Sequence, residues 1–270
     1  MTSSVAAVWS HRNVLRVLVQ RDLAVKYQAS VLGYVWSLIE PLSMGLIYWF
    51  VFGVLFDGRQ GLGDGENYVL FILSGIFAWQ WFSSALGEST TALTNQARLI
   101  TTIMVPREIF PIGRTAGRFA EYLAGIPILI IAAIILHGSF TWRTLVAIPL
   151  AVLLQFVLLI GLSLFLSALN VMMRDVERFI RLAQRILFYC APIVYPLSKV
   201  RETDKLPDWA KTLYEANPLV GIFELQHVAW VGQGWPPASL LITSATGCLI
   251  ILLFGAWSFR KLEPSVLKEL

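Results

Sequence analysis

A carboxylate and a proline, Glu40-Pro41, stand deep inside an apolar run that extends from Leu32 to Phe56. Hydrocarbon offers a carboxylate no hydration, and the proline removes one helix donor, so Glu40 is expected to face other helices or a water-filled path and not lipid. The run is entered through a charged, amphipathic stretch, RDLAVKYQAS, carrying Arg21 and Lys26. Downstream, TTALTNQARLITTIMVPREIFPIGR places apolar Leu99, Ile100, Ile103 and Met104 at helical spacing, stops them at Pro106 and continues with Arg107-Glu108. Such a segment suits a short helix lying on lipid headgroups. Directly after it, Arg114, Arg118 and Glu121 occupy the first half of another apolar block, where they are expected at headgroup level or paired with one another.

Other chemistry is hard to build from this chain. Nucleotide hydrolysis of the P-loop kind needs GxxxxGK[ST], which does not occur; the Gly-rich GRQGLGDGE lacks the lysine, carries acids that repel phosphate, and reads as a flexible outer loop. His11, His137 and His227 are scattered, with no HExxH or paired spacing, so no metal site is expected. Neither GxSxG nor a close acidic pair on a loop is present, which leaves acyl transfer and metal-dependent sugar chemistry without visible machinery. Cys190 and Cys248 lie in apolar blocks and are expected to be small buried hydrophobes.

The elements that position these residues follow from composition. The chain is 57% hydrophobic and only 14% charged, against roughly 25% charged in a soluble domain. Its apolar mass falls into separate blocks, which predicts several spanning helices and leaves no room for a second, soluble domain. Spans are expected at Leu32–Phe56, Tyr68–Leu86, Ile109–Leu136, Leu145–Leu169, Phe179–Tyr195 and Leu240–Phe259. The fold class is therefore all-α integral membrane: six transmembrane helices, an N-terminal amphipathic interface helix, and short re-entrant or interfacial helices before the last span. The start of the chain shows no cleavable signal pattern, so the first span is expected to direct insertion. Within a single domain over residues 1–270, residues 1–31 form the interface helix, 32–195 spans one to five, 196–239 an outer segment, and 240–270 the last span and tail.

Residues 11–28 put Arg12, Asn13, Arg16 and Gln20 on one helix side and Val14, Val17, Leu18 and Val25 on the other, with Arg21 interrupting the apolar side. With an even span number and an inside N-terminus, fifteen of the 21 Lys and Arg fall inside and six outside, a positive-inside bias that puts both termini in the cytoplasm. The net charge of +4 is divided among short loops, which fits membrane topology and not nucleic-acid binding. In the outer segment LVGIFELQHVAW is too short to cross; flanked by Asn217-Pro218 and by Gly232 and Gly234, it predicts an interfacial or re-entrant helix, tolerable at depth only where protein buries it. Gly113 and Gly117 form a small-xxx-small pair for close helix packing.

Taken together and in order, these features resemble one family. RDL with Lys26-Tyr27, VLGYVWSLIEPL, Asn95, Leu99-Ile100, Pro106-Arg107 through Pro111, Asn170, Arg174-Asp175-Val176, Ala191-Pro192-Ile193 with Tyr195-Pro196, and Asn217-Pro218 are similar to the permease subunit of ABC-2 type polysaccharide exporters, which serve O-antigen, capsule and teichoic-acid export. The chain departs from that pattern at Thr101-Thr102, where a basic residue is common, and at Val105, where an aromatic often precedes the proline.

The resemblance implies a homodimer forming a channel in the bacterial cytoplasmic (inner) membrane, paired with two copies of a separate ATPase subunit. ATP and Mg would belong to that partner; this chain would be no enzyme and carry no cofactor. Its cargo would be a glycan on a polyprenyl-diphosphate lipid. Asn95, Arg98, Leu99, Ile100, Pro106, Arg107 and Glu108 would couple to the ATPase, and Arg21, Lys26, Arg174 and Arg178 would attract the diphosphate at the entrance. Tyr34, Trp36, Glu40, Trp49, Phe188 and Tyr189 would line the channel, the aromatics stacking on sugars or anchoring the lipid interface. Alternatives are an ABC-2 permease for a drug or another lipid, a membrane enzyme using polyprenyl phosphate, and an ion-driven flippase.

Overall fold

The computed structural model describes residues 10–28, 30–55, 67–102, 105–138, 141–232 and 234–269. Phe56, the predicted loop 58–66, Ile103 and Met104 lie outside the described residues. Among the described residues every regular element is helical. Helix α1 (Arg12–Tyr27) leads into a first long run made of a 3₁₀ turn at Gly33–Val35, α2 (Trp36–Tyr48) and a π-helical stretch at Trp49–Leu55. Then come α3 (Tyr68–Thr90), the short α4 (Ala92–Asn95) and α5 (Ala97–Thr102), α6 (Ile109–Ile135) and α7 (Trp142–Met172). The remainder is α8 (Val176–Tyr189), α9 (Leu197–Glu202), α10 (Asp208–Glu215), α11 (Pro218–Val231) and α12 (Ala238–Glu269).

Five of these are long and apolar enough to cross a membrane: Gly33–Leu55, α3, α6, α7 and α12. Their starts are set by local chemistry. The Asn67 side chain accepts from Val69 N and Leu70 N at 3.0 and 3.3 Å and donates to Leu136 O at 3.1 Å, capping α3 while tying it to the end of α6. Thr141 and Thr144 form a reciprocal capping box on α7. Asn217 caps α11 with Pro218 in its first turn, and Gly232, at φ 87°, ends it in the left-handed conformation that suits glycine.

The predicted fifth span, Phe179–Tyr195, is built differently. Its helical part, α8, stops at Tyr189 after 14 residues, about 21 Å against a hydrocarbon layer of roughly 30 Å. Arg178, Arg181 and Arg185 all lie on it, and the prolines Pro192 and Pro196 prevent the helix from continuing. The chain bends through 190–195 instead. This route still joins the two ends of the bundle: Asn170, at the end of α7, accepts from Glu177 N at 3.2 Å, and Leu197 and Val200 of α9 pack with Leu240 at the start of α12.

The bend is buried at 191–194, with Ala191 and Ile193 fully inaccessible, and carbonyls in it and just before it are met by side chains. Tyr68 Oη donates to Val194 O at 2.8 Å, His227 Nε2 to Pro192 O at 2.8 Å, and Tyr195 Oη to Tyr189 O at 2.6 Å. His227 belongs to α11, which is buried along nearly its whole length between α3, α7 and α12, as a short helix at membrane depth requires. Of the two cysteines, Cys248 is buried as expected, whereas Cys190 is exposed because α8 ends on it. Outside the spans, Arg201 donates to Glu215 at 2.7 and 3.1 Å, and that hydrogen bond holds its pKa above the ordinary arginine value.

The N-terminal helix is rotated from the face its valines suggest. Val17 and Val25 are exposed, while Val14, Leu15 and Leu18 face the bundle, because Asp22 and Lys26 on that side reach partners on α6. Leu15 fits against Gly113, with 3.4 Å left for a Cβ, so that glycine serves packing within the chain. Leu18 joins Leu93, Ile100, Phe110, Ala168, Phe259 and Val266 in one cluster, which brings α1, α4–α5, the start of α6 and the ends of α7 and α12 to the same end of the bundle. Both terminal helices therefore pack at that end, called the near end below.

Gly161 and Gly255 let α7 and α12 touch backbone to backbone. A Cβ on Gly161 would lie 2.6 Å from Ile251 O, and one on Gly255 would strike the Gly161 carbonyl, so neither side can yield cheaply. Gly255→Val is expected to destabilise by about 3 kcal/mol and to lower the yield of monodisperse protein in detergent. Gly117→Ala, which meets nothing within 4 Å, should match the parent in the same size-exclusion and thermal-unfolding measurements.

Candidate functional site

Arg118 organises the polar part of the near end. It lies on α6, its side chain only 7% exposed, and it donates Nε to Glu88 Oε2 at 2.7 Å while its two terminal nitrogens reach Glu88 and Glu121. Glu121 also accepts from Lys26 Nζ at 3.0 Å, and Arg114 Nε lies 3.3 Å from Asp22, which pairs with Arg21 at 2.8 Å. The charges predicted for the first half of this span are thus paired with one another, and also with α1 and α3. A guanidinium fork suits two carboxylates at once, and two acids keep it ionised away from bulk water.

Two cavities adjoin across this cluster, sharing Lys26, Glu88 and Arg118. The larger, about 690 Å³, is an open groove between α1 and the α4–α5 segment; Arg21, Lys26, Arg98, Arg114 and Arg118 give it an excess of positive charge over Asp22 and Glu88. Asn95, Leu99 and Thr102 form its other wall. The smaller, about 230 Å³, runs into the bundle between the first span, α3 and α6, and is lined by Glu40, Ser37, Gln80, Ser84 and Tyr122. Glu40 therefore borders a polar cavity connected to the charged cluster, and Pro41 packs buried beside it.

A third cavity, about 360 Å³, opens between the first span, α3 and α8. Arg181, Gln184, Arg185 and Tyr189 project from α8 beside Tyr48, Trp79 and Phe188. The rings pack together, Phe188 lying 5.2 Å from Tyr48 and 5.5 Å from Trp79, and Gln184 Nε2 donates to Ser83 O at 2.8 Å, fixing α8 against α3. Aromatic faces beside guanidinium donors suit sugar rings and their hydroxyl or phosphate groups.

The sequence-predicted residues are distributed unevenly. Arg21 and Lys26 share the near-end groove with Asn95, Arg98 and Leu99, whereas Arg174 and Arg178 are exposed on and before α8 and line none of the cavities described above. Ile100 is buried in the near-end cluster, Pro106 is half-buried and Glu108 is buried. Arg107 turns inward, Nη1 lying 3.4 Å from Glu263 of α12. Phe188 and Tyr189 line the third cavity, Phe188 only 8% exposed, while Tyr34 and Trp36 are exposed and Trp49 half-buried outside all three. Sequence reasoning missed Glu88, Tyr48, Trp79, Arg181 and Arg185. The spacing of Arg181, Arg185 and Tyr189, four residues apart, puts them on one helix face and could have revealed the last two.

The sequence model of the family described as ABC-2 type transporter matches residues 13–231. The chain is 33% identical to the O-antigen export system permease protein RfbA of Klebsiella pneumoniae, over 93% of this chain and 92% of that protein. It is 26% identical to the protein of the same name from Myxococcus xanthus, over 93% of both. The polysialic acid transport protein KpsM of Escherichia coli is 22% identical, over 94% of this chain and 95% of that one.

Removing Arg118 would strand Glu88 and Glu121 beside one another. Arg118→Met is expected to destabilise by on the order of 3 kcal/mol, read as a lowered unfolding midpoint of the detergent-purified protein. Arg178→Met, whose pair with Asp175 is 81% and 90% exposed, should change that midpoint little.

Proposed function

Since the chain belongs to the ABC-2 type transporter family, we propose that it is the transmembrane subunit of an exporter that passes a polysaccharide across the cytoplasmic membrane, the cargo travelling on a polyprenyl-diphosphate lipid and a separate ATPase supplying the energy. O-antigen export by the relatives named above supports a glycan cargo. The near-end groove carries the proposal furthest. One wall of it is the α4–α5 segment and the other is α1, with cationic side chains from both and from α6 between them.

Fifteen of the 21 Lys and Arg belong to segments assigned to the cytoplasm, and that positive-inside bias supports a cytoplasmic near end, on the side where ATP is available. The outward side chains of the segment, Asn95, Arg98 and Thr102, would meet the ATPase; Ile100 and the start of α6, packed on the bundle, would receive the push. Arg21, Lys26 and Arg98 would draw in a diphosphate by charge. The cleft of Trp79, Tyr189, Arg181 and Arg185 offers the glycan stacking faces and hydrogen-bond donors. The first span is the least covered by the rest of the chain, 11% buried against 78% for α3, and that uncovered surface would meet a second copy across a shared channel.

The test is ATP hydrolysis by the complex isolated from native membranes through a tag on this chain, with and without lipid-linked glycan. Copurifying activity stimulated by the glycan is expected; a folded preparation without ATPase would sink the proposal, and stimulation only by an unrelated amphiphile would reassign the cargo. In the same system Glu40→Leu should cut glycan export at least fivefold while membrane insertion and yield stay at parent levels. Unaltered export would reduce Glu40 to a packing group.

A further inference from the structure

The α4–α5 segment lies at the near end and the bend at 190–195 lies with α11 deeper in the bundle, so a part that links them must reach along much of its length. α12 has that reach: 32 residues, about 48 Å at ~1.5 Å per residue. It is engaged at three levels. At the near end Glu263 accepts from Arg107, the residue that follows Pro106 and precedes α6, and Phe259 and Val266 pack with Ile100 and Phe110. Glu263 is the carboxylate that pairs with this guanidinium, through Nη1 at 3.4 Å, while the buried Nε has no acceptor among the described residues. In the middle, α12 meets α7 backbone to backbone at Gly255 and Gly161. Further along, a Cβ on Gly247 would sit 2.7 Å from Pro218, and one on Gly221 would strike Ser244, so the start of α11 rides directly on α12.

α11 in turn holds the bend. His227 Nε2 donates to Pro192 O, its Nδ1 lies 3.2 Å from Ser74 Oγ, and its ring stacks on Phe71 at 3.7 Å. Close-packed groups of this kind shift as units and transmit strain. The segment after α4 thus has two faces: Arg98 is exposed, and Arg107 points back into the protein.

We propose that Glu263 is a positioning residue that clamps the coupling segment to the last helix through Arg107, and that the last helix carries displacement of that segment to α11 and the bend it holds. This rests on the permease reading and adds to it a residue and a route. A route of packed contacts becomes a coupling only when both ends respond together, so the test reads both.

The exposed thiol of Cys190 reports on the bend and the buried Cys248 does not compete. Its alkylation rate would be measured in the intact complex with ATP absent and with nucleotide trapped, beside export per ATP hydrolysed. In the parent complex the rate should change at least threefold on trapping. Glu263→Gln should keep ATP hydrolysis but lose that change and at least fivefold of the export per ATP; Glu263→Asp should retain both, and the exchange Arg107→Glu with Glu263→Arg should restore them. A Gln variant that keeps the parental rate change and export overturns the clamp. So does a parent complex that exports while its Cys190 rate ignores nucleotide. A parent preparation with no ATPase overturns the permease reading itself, an outcome distinct from either.

Discussion

In hydrocarbon a backbone carbonyl has no water to turn to, and this chain meets that constraint hardest at 190–195, where Pro192 within the stretch and Pro196 directly after it exclude a helix. Helix α11 is the answer. By lying buried against α3, α7 and α12 it brings His227 to the Pro192 carbonyl, while Tyr68 of α3 covers Val194. A carbonyl only accepts, so the imidazole must carry its hydrogen on Nε2, and its Nδ1 lies 3.2 Å from Ser74 Oγ, whose hydroxyl donates to Phe71 O at 2.9 Å. The small residues follow from the same demand: Gly75 sits under Ile193 O, and Gly221 of α11 and Gly247 of α12 let those two helices approach closely, each where a Cβ would force its neighbours apart.

The near end solves a different problem with charge. A lone cation or carboxylate near the apolar layer is costly, and pairing recovers that cost only when geometry and hydrogen bonds are good. Arg118 meets both conditions by bridging Glu88 of α3 and Glu121 of its own helix, and Lys26 and Asp22 extend the cluster to α1. A helix that its sequence would let float on headgroups is thereby made part of the bundle. The same side chains leave an excess of positive charge facing the groove beside α4–α5, and the adjoining cavity leads to Glu40.

These two solutions meet through α7 and α12. Both helices run between the near-end cluster and the region of α11, and their glycine contact brings them backbone to backbone, so that they shift as one unit. Rigidity of the scaffold is what allows the first span and α10 to be exposed without loss of the fold.

Much of this was legible in the linear chain. Composition and blocks of apolar residues gave the spans at α3, α6, α7 and α12, because a helix of this length satisfies its own backbone and needs only an apolar exterior. Asn217-Pro218 and Gly232 marked the ends of α11, since capping acts over a few residues. The displaced charge at Glu40 announced a polar environment, whereas the groove shared by Arg21, Lys26 and Arg98 joins residues that the sequence assigned to two separate roles. What tertiary structure alone decided was every relation between distant segments: that span five would break at Tyr189, that α1 would turn Leu15 and Asp22 inward instead of Val17 and Val25, that Glu88 would answer Arg118, and that Arg107 would face Glu263. Hydropathy reports whether a segment tolerates lipid, but which charge neutralises which, and which carbonyl a side chain must satisfy, depends on packing between helices that the sequence keeps far apart.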